Sequence, residues 1–360
     1  MQYILTFLVL VGVLLVVAIF LILIEKIMGS AGEKTITIND DMQISVSGDT
    51  TVLSALSDND IHLPSSCAGK GTCGTCKFQL VEPKQAILPT EKAFINKQEE
   101  AEGYRLSCQV KVNTDLRISL PPGLLDAQVY KSKVTEIEDL TYDIKRIRFE
   151  FLEPKHMEFK PGQFIQITVP GWDTVRAYSI ASNPKHTNFV DLMIRQVYKG
   201  EATTFVHKAL MENDIIDVDG PFGDFYLQED SNKDIICIAG GSGMAPIKSI
   251  LEYLEDRGMP RKVKYFFGAR TQKDLFLTEE LMDLSKRYPN FEYIPALSHA
   301  DDDKEWKGER GLITDVVRRR AGDLSDSEAY LCGSPGMIDA CMVVLGELNM
   351  PEEDIYFDKF

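Results

Sequence analysis

The order of apolar and polar positions changes character along this chain of 360 residues. From Met1 to Ile24 no charged residue occurs, and the first charges are Glu25 and Lys26. A helix of about 22–24 residues spans roughly 33–36 Å, enough to cross a hydrocarbon core of about 30 Å with some tilt. A cleaved signal peptide is the alternative. It would open with a positive region and carry an apolar run of about 7–15 residues, and this segment has neither feature. The expectation is a single transmembrane helix over residues 1–26 and a short linker over 27–33. Lys26 follows the helix and nothing basic precedes it. The positive-inside rule then places the C-terminal body on the cytoplasmic side.

Strand-like alternation begins at Lys34. Residues 34–38 and 43–46 read as strands, residues 51–56 as a helix capped by Asp49 and Thr50, and residues 77–81 and 116–120 as further strands. Two hairpins and a helix predict a small α+β unit over residues 34–126, closed by Pro121, Pro122 and Gly123. Over residues 127–229 the pattern is β-branched and aromatic, with runs at 144–151, 163–169 and 189–196 separated by Pro and Gly turns. That predicts an antiparallel barrel. Over residues 230–360 apolar runs at 235–239, 263–267, 291–296 and 330–331 alternate with helical stretches at 244–256, 278–288 and 314–320. Strand–helix alternation predicts a parallel, doubly wound α/β sheet. A chain this long is expected to hold several domains.

The net charge of −16 argues against a nucleic-acid surface, which needs a basic stripe. Arg318, Arg319 and Arg320 are too short a run to supply one and read as a solvated helix face.

The candidate chemistry starts with cysteine. Cys67, Cys73 and Cys76 stand in a C-x5-C-x2-C loop, and Cys108 follows at a distance. Gly69, Gly71 and Gly74 lie between the three. Glycines let a backbone fold closely around a cluster and turn N–H groups toward its sulfurs. The spacing is one residue longer than the plant-type C-x4-C-x2-C that binds [2Fe–2S]. A zinc ribbon would bring two CxxC knuckles, and the distal half has a lone cysteine. Seven cysteines are an odd number for a disulfide framework. A Rieske centre needs histidines beside its cysteines, and no Cys-x-His occurs. Cys237 and Cys341 read as small core residues.

A second constellation follows the barrel. The run at 235–239 leads into Gly240-Gly241-Ser242-Gly243-Met244-Ala245-Pro246 and then a helix. Glycines at such a turn let the backbone approach a pyrophosphate at the helix N-terminus, and Pro246 suits a helix start. A tight loop without a ligand would read the same way. Arg176, Tyr178 and Ser179 share one short strand, Gly200 to Thr203 reads as a second anion-holding turn, and Cys332 and Gly333 end a late strand.

Taken in order, Arg176-x-Tyr178-Ser179, Gly220-Pro221-Phe222-Gly223, the Gly240–Pro246 turn and Cys332-Gly333-Ser334-Pro335 resemble the ferredoxin–NADP reductase superfamily. The resemblance covers about residues 127–360. It implies FAD on the barrel, with Arg176 on the pyrophosphate, Tyr178 against the isoalloxazine, Ser179 near flavin N5, and Gly200 and Thr203 at phosphate. It implies NADH on Gly240, Gly241, Gly243, Pro246 and Gly333, with Cys332 near the nicotinamide. With the N-terminal segment, the cysteine loop, Ile87 to Glu91, Arg105 to Gln109 and the tail Ile355 to Phe360, the whole chain is similar to the F subunits of sodium-translocating NADH:quinone reductases. That family implies a single-pass polypeptide of the bacterial inner membrane, with other membrane redox subunits as partners and quinone as indirect acceptor. It also implies a near-terminal aromatic over the flavin, for which Phe360 is the candidate. Only a short loop separates Ile167 from Arg176, where those F subunits carry a long insertion, and in this the chain looks like soluble oxygenase reductases. Arg270 stands where it could meet an adenosine phosphate, while the resemblance favours NADH over NADPH.

Overall fold

In the computed structural model, residues 33–360 are described apart from 48, 126, 172–173 and 301–304, and before residue 33 only 11–13, 15–17 and 20 are described. The membrane span expected over residues 1–26 therefore lies largely outside the described residues. Among the described residues no helix is long and apolar enough to cross a membrane. The chain divides into two compact units, residues 1–125 and 126–360.

The first unit holds β1 (Lys34–Ile38), β2 (Met42–Val46), β3 (Lys77–Glu82), β4 (Tyr104–Leu106) and β5 (Leu116–Ser119), in the order β2-β1-β5-β3-β4. β1 and β5 run parallel, and the other neighbours are antiparallel. Alternation sends Ile36, Ile38, Ile44, Val46, Phe78, Leu80, Leu116 and Ile118 to one face. Val52, Ala55 and Leu56 of the helix Val52–Ser57 cover that face. The cap of this helix is Thr51, not Asp49 or Thr50: its Oγ1 accepts the Ser54 N–H at 3.2 Å. The helix Lys97–Glu102 was not legible as a periodic pattern, because it buries no residue. Local chemistry makes it, through a capping box between Asn96 and Glu99 and a left-handed Gly103 at its end.

The second unit begins with β6 (Gln128–Asp139), β7 (Ile144–Glu153), β8 (Phe164–Thr168), β9 (Val175–Ser179), β10 (Phe189–Arg195) and β11 (Ile215–Phe222). They form an antiparallel sheet in the order β10-β7-β6-β11-β8-β9. A bridge between Ile180 and Leu192 joins its two edges and closes the barrel. Val134, Ile147, Phe149, Ile165, Ile180 and Leu192 fill the interior.

Six parallel strands follow: β12 (Asp234–Gly240), β13 (Val263–Ala269), β14 (Phe291–Leu297), β15 (Glu309–Arg310), β16 (Ser327–Gly333) and β17 (Ile355–Lys359). Their order is β15-β14-β13-β12-β16-β17. Apolar clusters line both faces of the sheet, one including Met244, Ile247 and Leu281, the other Val316, Ile338 and Leu345. The chain runs from β12 to β13 and β14 on one side, then returns to place β16 on the other. The strand order therefore reverses between β12 and β16, where such sheets open a crevice at the carboxyl ends of their strands. β17, at the edge beside β16, was not anticipated.

Candidate functional site

The four candidate ligand cysteines are brought together in two pairs. The Cys73 thiol donates to Cys67 Sγ at 3.3 Å, and the Cys76 thiol donates to Cys108 Sγ at 3.3 Å. All four are free thiols, so neither contact is the bond of about 2.05 Å that a disulfide makes. Two sulfurs on one tetrahedral metal, each about 2.3 Å away, stand about 3.8 Å apart, and a small outward movement of each pair reaches that. Among the described residues, no three His, Cys, Asp or Glu side chains converge where one ion could sit. The two pairs would suit two irons, each taking two cysteines.

The loop is held by its own backbone. Gly69, Gly71 and Gly74 all have positive φ. A Cβ on Gly74 would stand 2.5 Å from the Phe94 ring, and one on Gly71 would stand 2.6 Å from Gln109 Nε2. Only glycine allows both the turn and the close approach at these two positions. Burial opposes the Cys67 thiolate, but hydrogen bonds from Thr72 and Cys73 bring its pKa down to about 6. The hydrogen bond from Cys76 brings Cys108 down to about 7, and the role of donor pushes Cys76 up.

Three residues before Cys108 in the chain, Arg105 enters a buried ion pair. Glu91 accepts from Arg105 Nε at 3.0 Å and Nη2 at 2.8 Å, and from the backbone N–H of Leu106 and Leu88 at 2.8 and 2.7 Å. Glu91 is 0% exposed and Arg105 3%. The pair ties the segment at residues 87–91 to the segment that carries Cys108.

In the second unit, β9 presents Arg176, Tyr178 and Ser179. Tyr178 Oη is buried without a hydrogen-bond partner, and burial raises the phenol to about 12. A protonated, unpartnered hydroxyl in that position has donor capacity to offer a bound flavin. Gly200 caps the helix Glu201–Lys208, and Thr203 Oγ1 accepts the Val197 N–H at 3.1 Å. That helix N-terminus, beside the barrel, suits phosphate.

The Gly240–Pro246 turn sits at the carboxyl end of β12 and leads into the helix Met244–Glu255. Pro246 falls in the first turn, where its missing N–H leaves nothing unbonded. A Cβ on Gly243 would stand 2.2 Å from the carbonyl oxygen of Cys332. Gly241 has φ of +59°, and Gly240 and Gly333 lie against Met337. Ala239 of β12 is opposite Cys332 of β16, so the two glycine turns flank the crevice where the strand order reverses. These cradles fit a dinucleotide whose backbone must approach closely.

Ser179, Cys332 and Asp358 meet in this unit. Ser179 Oγ donates to Asp358 Oδ2 at 3.2 Å. Cys332 and Asp358 are register partners across β16 and β17. Burial pushes the Cys332 thiol up, with the Asp358 charge adding to the effect, and burial also raises the Asp358 carboxyl. Asp358 was missed in the sequence, although the tail around it was singled out. A usable signal was the apolar and aromatic run Ile355-Tyr356-Phe357 after a helix, which extends a parallel sheet. Phe360 is exposed, and its backbone N–H donates to the Gly333 carbonyl at 3.2 Å. Cys237 and Cys341 are buried core residues. Arg318, Arg319 and Arg320 are taken up in surface ion pairs with Asp315, Glu347, Glu309 and Glu292.

Family models match the chain in three consecutive segments: a 2Fe-2S iron-sulfur cluster binding domain over residues 36–113, an oxidoreductase FAD-binding domain over 131–226 and an oxidoreductase NAD-binding domain over 237–342. The chain is 36% identical to the reductase component of phenol 2-monooxygenase from a Pseudomonas species, covering 88% of this chain and 91% of that one. It is 29% identical to the F subunit of the Na(+)-translocating NADH-quinone reductase of Neisseria meningitidis, covering 97% and 96%. That alignment runs over 393 positions, longer than this chain, so the relative carries segments that this chain lacks. Among solved structures, an Amycolatopsis cytochrome P450 reductase superposes with a TM-score of 0.74 at 26% identity, covering 91% of this chain and 98% of that one.

Proposed function

We propose a function on the premise that the chain belongs to the ferredoxin–NADP reductase superfamily, in the branch with an N-terminal [2Fe–2S] ferredoxin domain. It is an NADH-dependent oxidoreductase with FAD and a [2Fe–2S] cluster as cofactors. FAD, held by residues of the barrel, would supply the exchange between the electron pair of an NADH hydride and the single electrons that a [2Fe–2S] cluster accepts. The observation that carries this reading is the presence in one chain of paired cysteine ligands and of a Ser179–Cys332–Asp358 cluster beside a glycine crevice.

The reading assigns residues as follows. Cys67 and Cys73 hold one iron, Cys76 and Cys108 the other. Arg176, Gly200 and Thr203 hold the phosphates of FAD, and Tyr178 packs on its ring system. Gly240, Gly241, Gly243, Pro246 and Gly333 hold the dinucleotide of NADH. Ser179 and Cys332 align the reacting rings, and Phe360 covers the flavin. The ferredoxin domain takes residues 34–126, the FAD barrel 127–229 and the NADH domain 230–360.

The acceptor we propose is a membrane redox partner. The chain is the single-pass, cytoplasm-facing NADH-oxidising subunit of a bacterial inner-membrane complex that reduces ubiquinone and translocates sodium. The uncharged run at residues 1–24 and the 97% coverage by the meningococcal quinone-reductase relative support this. A second reading, a membrane-tethered reductase feeding an oxygenase, is favoured by the higher identity to the phenol reductase component and by the short loop before Arg176. Purification from native membranes in mild detergent separates the two. Copurifying membrane subunits with sodium-stimulated quinone reduction support the first. A soluble oxygenase among the partners, or a chain that purifies alone, refutes it.

A further inference from the structure

Ser107 lies between Arg105 and the ligand Cys108, and its side chain is 0% exposed. Its backbone is fully used: the N–H donates to the Cys76 carbonyl at 2.9 Å, and the carbonyl accepts the Leu53 N–H at 3.0 Å. Its hydroxyl is not. Ser107 Oγ is buried without a well-aligned hydrogen-bond partner. The backbone bond to the Cys76 carbonyl sets Ser107 beside that ligand residue, with the ligand Cys108 next in the chain. Leaving a buried hydroxyl unsatisfied costs about 1–3 kcal/mol, and a serine kept in such a place invites a reason.

The state of the inner cysteine pair supplies one. As free thiols, Cys76 donates to Cys108, and that sulfur–sulfur contact occupies the pair. On iron both residues are thiolates, their protons are gone, and each sulfur becomes an acceptor carrying negative charge. The Ser107 hydroxyl then has an anionic acceptor in the place where the free-thiol protein offers none of good geometry. Cys108 has a comparable donor on its other side, the Gln109 amide, with Nε2 3.6 Å from its sulfur. The Thr90 hydroxyl donates to Gln109 Oε1 at 3.0 Å, which fixes the amide so that its N–H2 group faces the sulfur.

We propose that Ser107 is a potential-setting residue: its buried hydroxyl donates to the cluster-bound sulfur of Cys76 and raises the reduction potential of the [2Fe–2S] centre. The inference rests on the cluster assignment above. Reduction adds one electron, and hence one negative charge, to the cluster. A hydrogen bond to a ligand sulfur strengthens as that charge grows, so it favours the reduced form. Ser107 touches neither NADH nor FAD in this reading. It acts through Cys76, so its removal shifts an equilibrium and leaves the ligand set whole.

The test is a redox titration of the full-length protein, monitored by the electron paramagnetic resonance signal of the reduced cluster. Iron and acid-labile sulfide are counted first in the wild-type protein. Absence of a two-iron centre there would overturn the cluster assignment itself, which separates that failure from failure of the Ser107 inference. With the centre present, Ser107→Ala is expected to keep its iron and sulfide and to lower the ratio of reduced to oxidised cluster about tenfold at fixed potential, a midpoint about 59 mV lower for one electron. Ser107→Cys, a near-isosteric weaker donor, is expected to fall between. Should Ser107→Ala fail to retain its cluster, Ser107→Cys alone decides by the direction of its shift. An unchanged or raised midpoint in a variant that retains its cluster overturns the proposal. An exchangeable-proton coupling in the reduced signal that survives in Ser107→Ala at full strength, with the midpoint unmoved, does so as well.

Discussion

Replacing Glu91 by alanine removes the acceptor of four N–H groups at once. Arg105 Nε and Nη2 lose a bidentate partner at 3.0 and 2.8 Å, and the N–H groups of Leu106 and Leu88 lose theirs at 2.8 and 2.7 Å. Water cannot replace them, because Glu91 is 0% exposed and Arg105 3%. Breaking a buried pair by deleting one partner destabilises by about 3–5 kcal/mol, since an uncompensated charge stays behind. Small domains have about 5–15 kcal/mol in all, so this is a large share of the stability of the first unit. With a urea dependence of about 2 kcal/mol per molar, the midpoint for loss of the cluster chromophore should fall by about 2 M. Flavin fluorescence reports the second unit separately and should not move. Replacing both partners by apolar residues, Glu91→Leu with Arg105→Met, should recover much of the loss, because no charge is then stranded. A Glu91→Ala protein with full cluster content and a midpoint within about 0.3 M of wild type would refute the reasoning.

Other outcomes follow from the second unit. Gly243→Ala places a methyl 2.2 Å from the Cys332 carbonyl oxygen, so helix and strand must part; KM for NADH should rise at least about tenfold with FAD content unchanged, measured by steady-state dye reduction. Tyr178→Phe removes a buried hydroxyl that has no protein partner and should weaken FAD binding by about five- to thirtyfold in a fluorescence titration, the worth of one hydrogen bond of about 1–2 kcal/mol. Burial raises the Asp358 carboxyl above its ordinary 3.8, so the folded state holds that proton more tightly than the unfolded state. Its contribution is full below that value and is lost as the pH rises through the raised one. Asp358→Asn should therefore melt higher than wild type at pH 8 in calorimetry, with the difference closing as the pH falls toward about 4. Finally, Ser179→Ala should slow flavin reduction by NADH in single-turnover absorbance measurements while FAD stays bound.

Strand alternation in residues 34–38 and the run at 235–239 was legible because side chains of a strand alternate regardless of what the strand pairs with. The cysteine loop and the Gly240–Pro246 turn were legible for a related reason: both depend on residue type at short spacing, and glycine at positive φ or a thiol near its neighbours is a local property. The helix Lys97–Glu102 escaped because it buries nothing, and a surface helix leaves no apolar period. Asp358 escaped for a different reason. Its meaning comes from the register that sets it opposite Cys332 and within reach of Ser179, a residue far away in the chain.

By itself, then, the amino-acid sequence determined the ligand chemistry, the succession of strand and helix, and the places where the backbone must turn tightly. Tertiary structure decided the rest. It sorted four cysteines into two pairs, the division that two irons with two cysteines each require. It joined Glu91 to Arg105, next to the segment that carries Cys108, and left Ser107 with a donor and no ordinary acceptor. It carried a carboxylate from the tail to Ser179. The physical reason is common to all of these. Alternation and spacing say which face a residue occupies, whereas pairing across strands depends on register and closure, which only the folded chain sets.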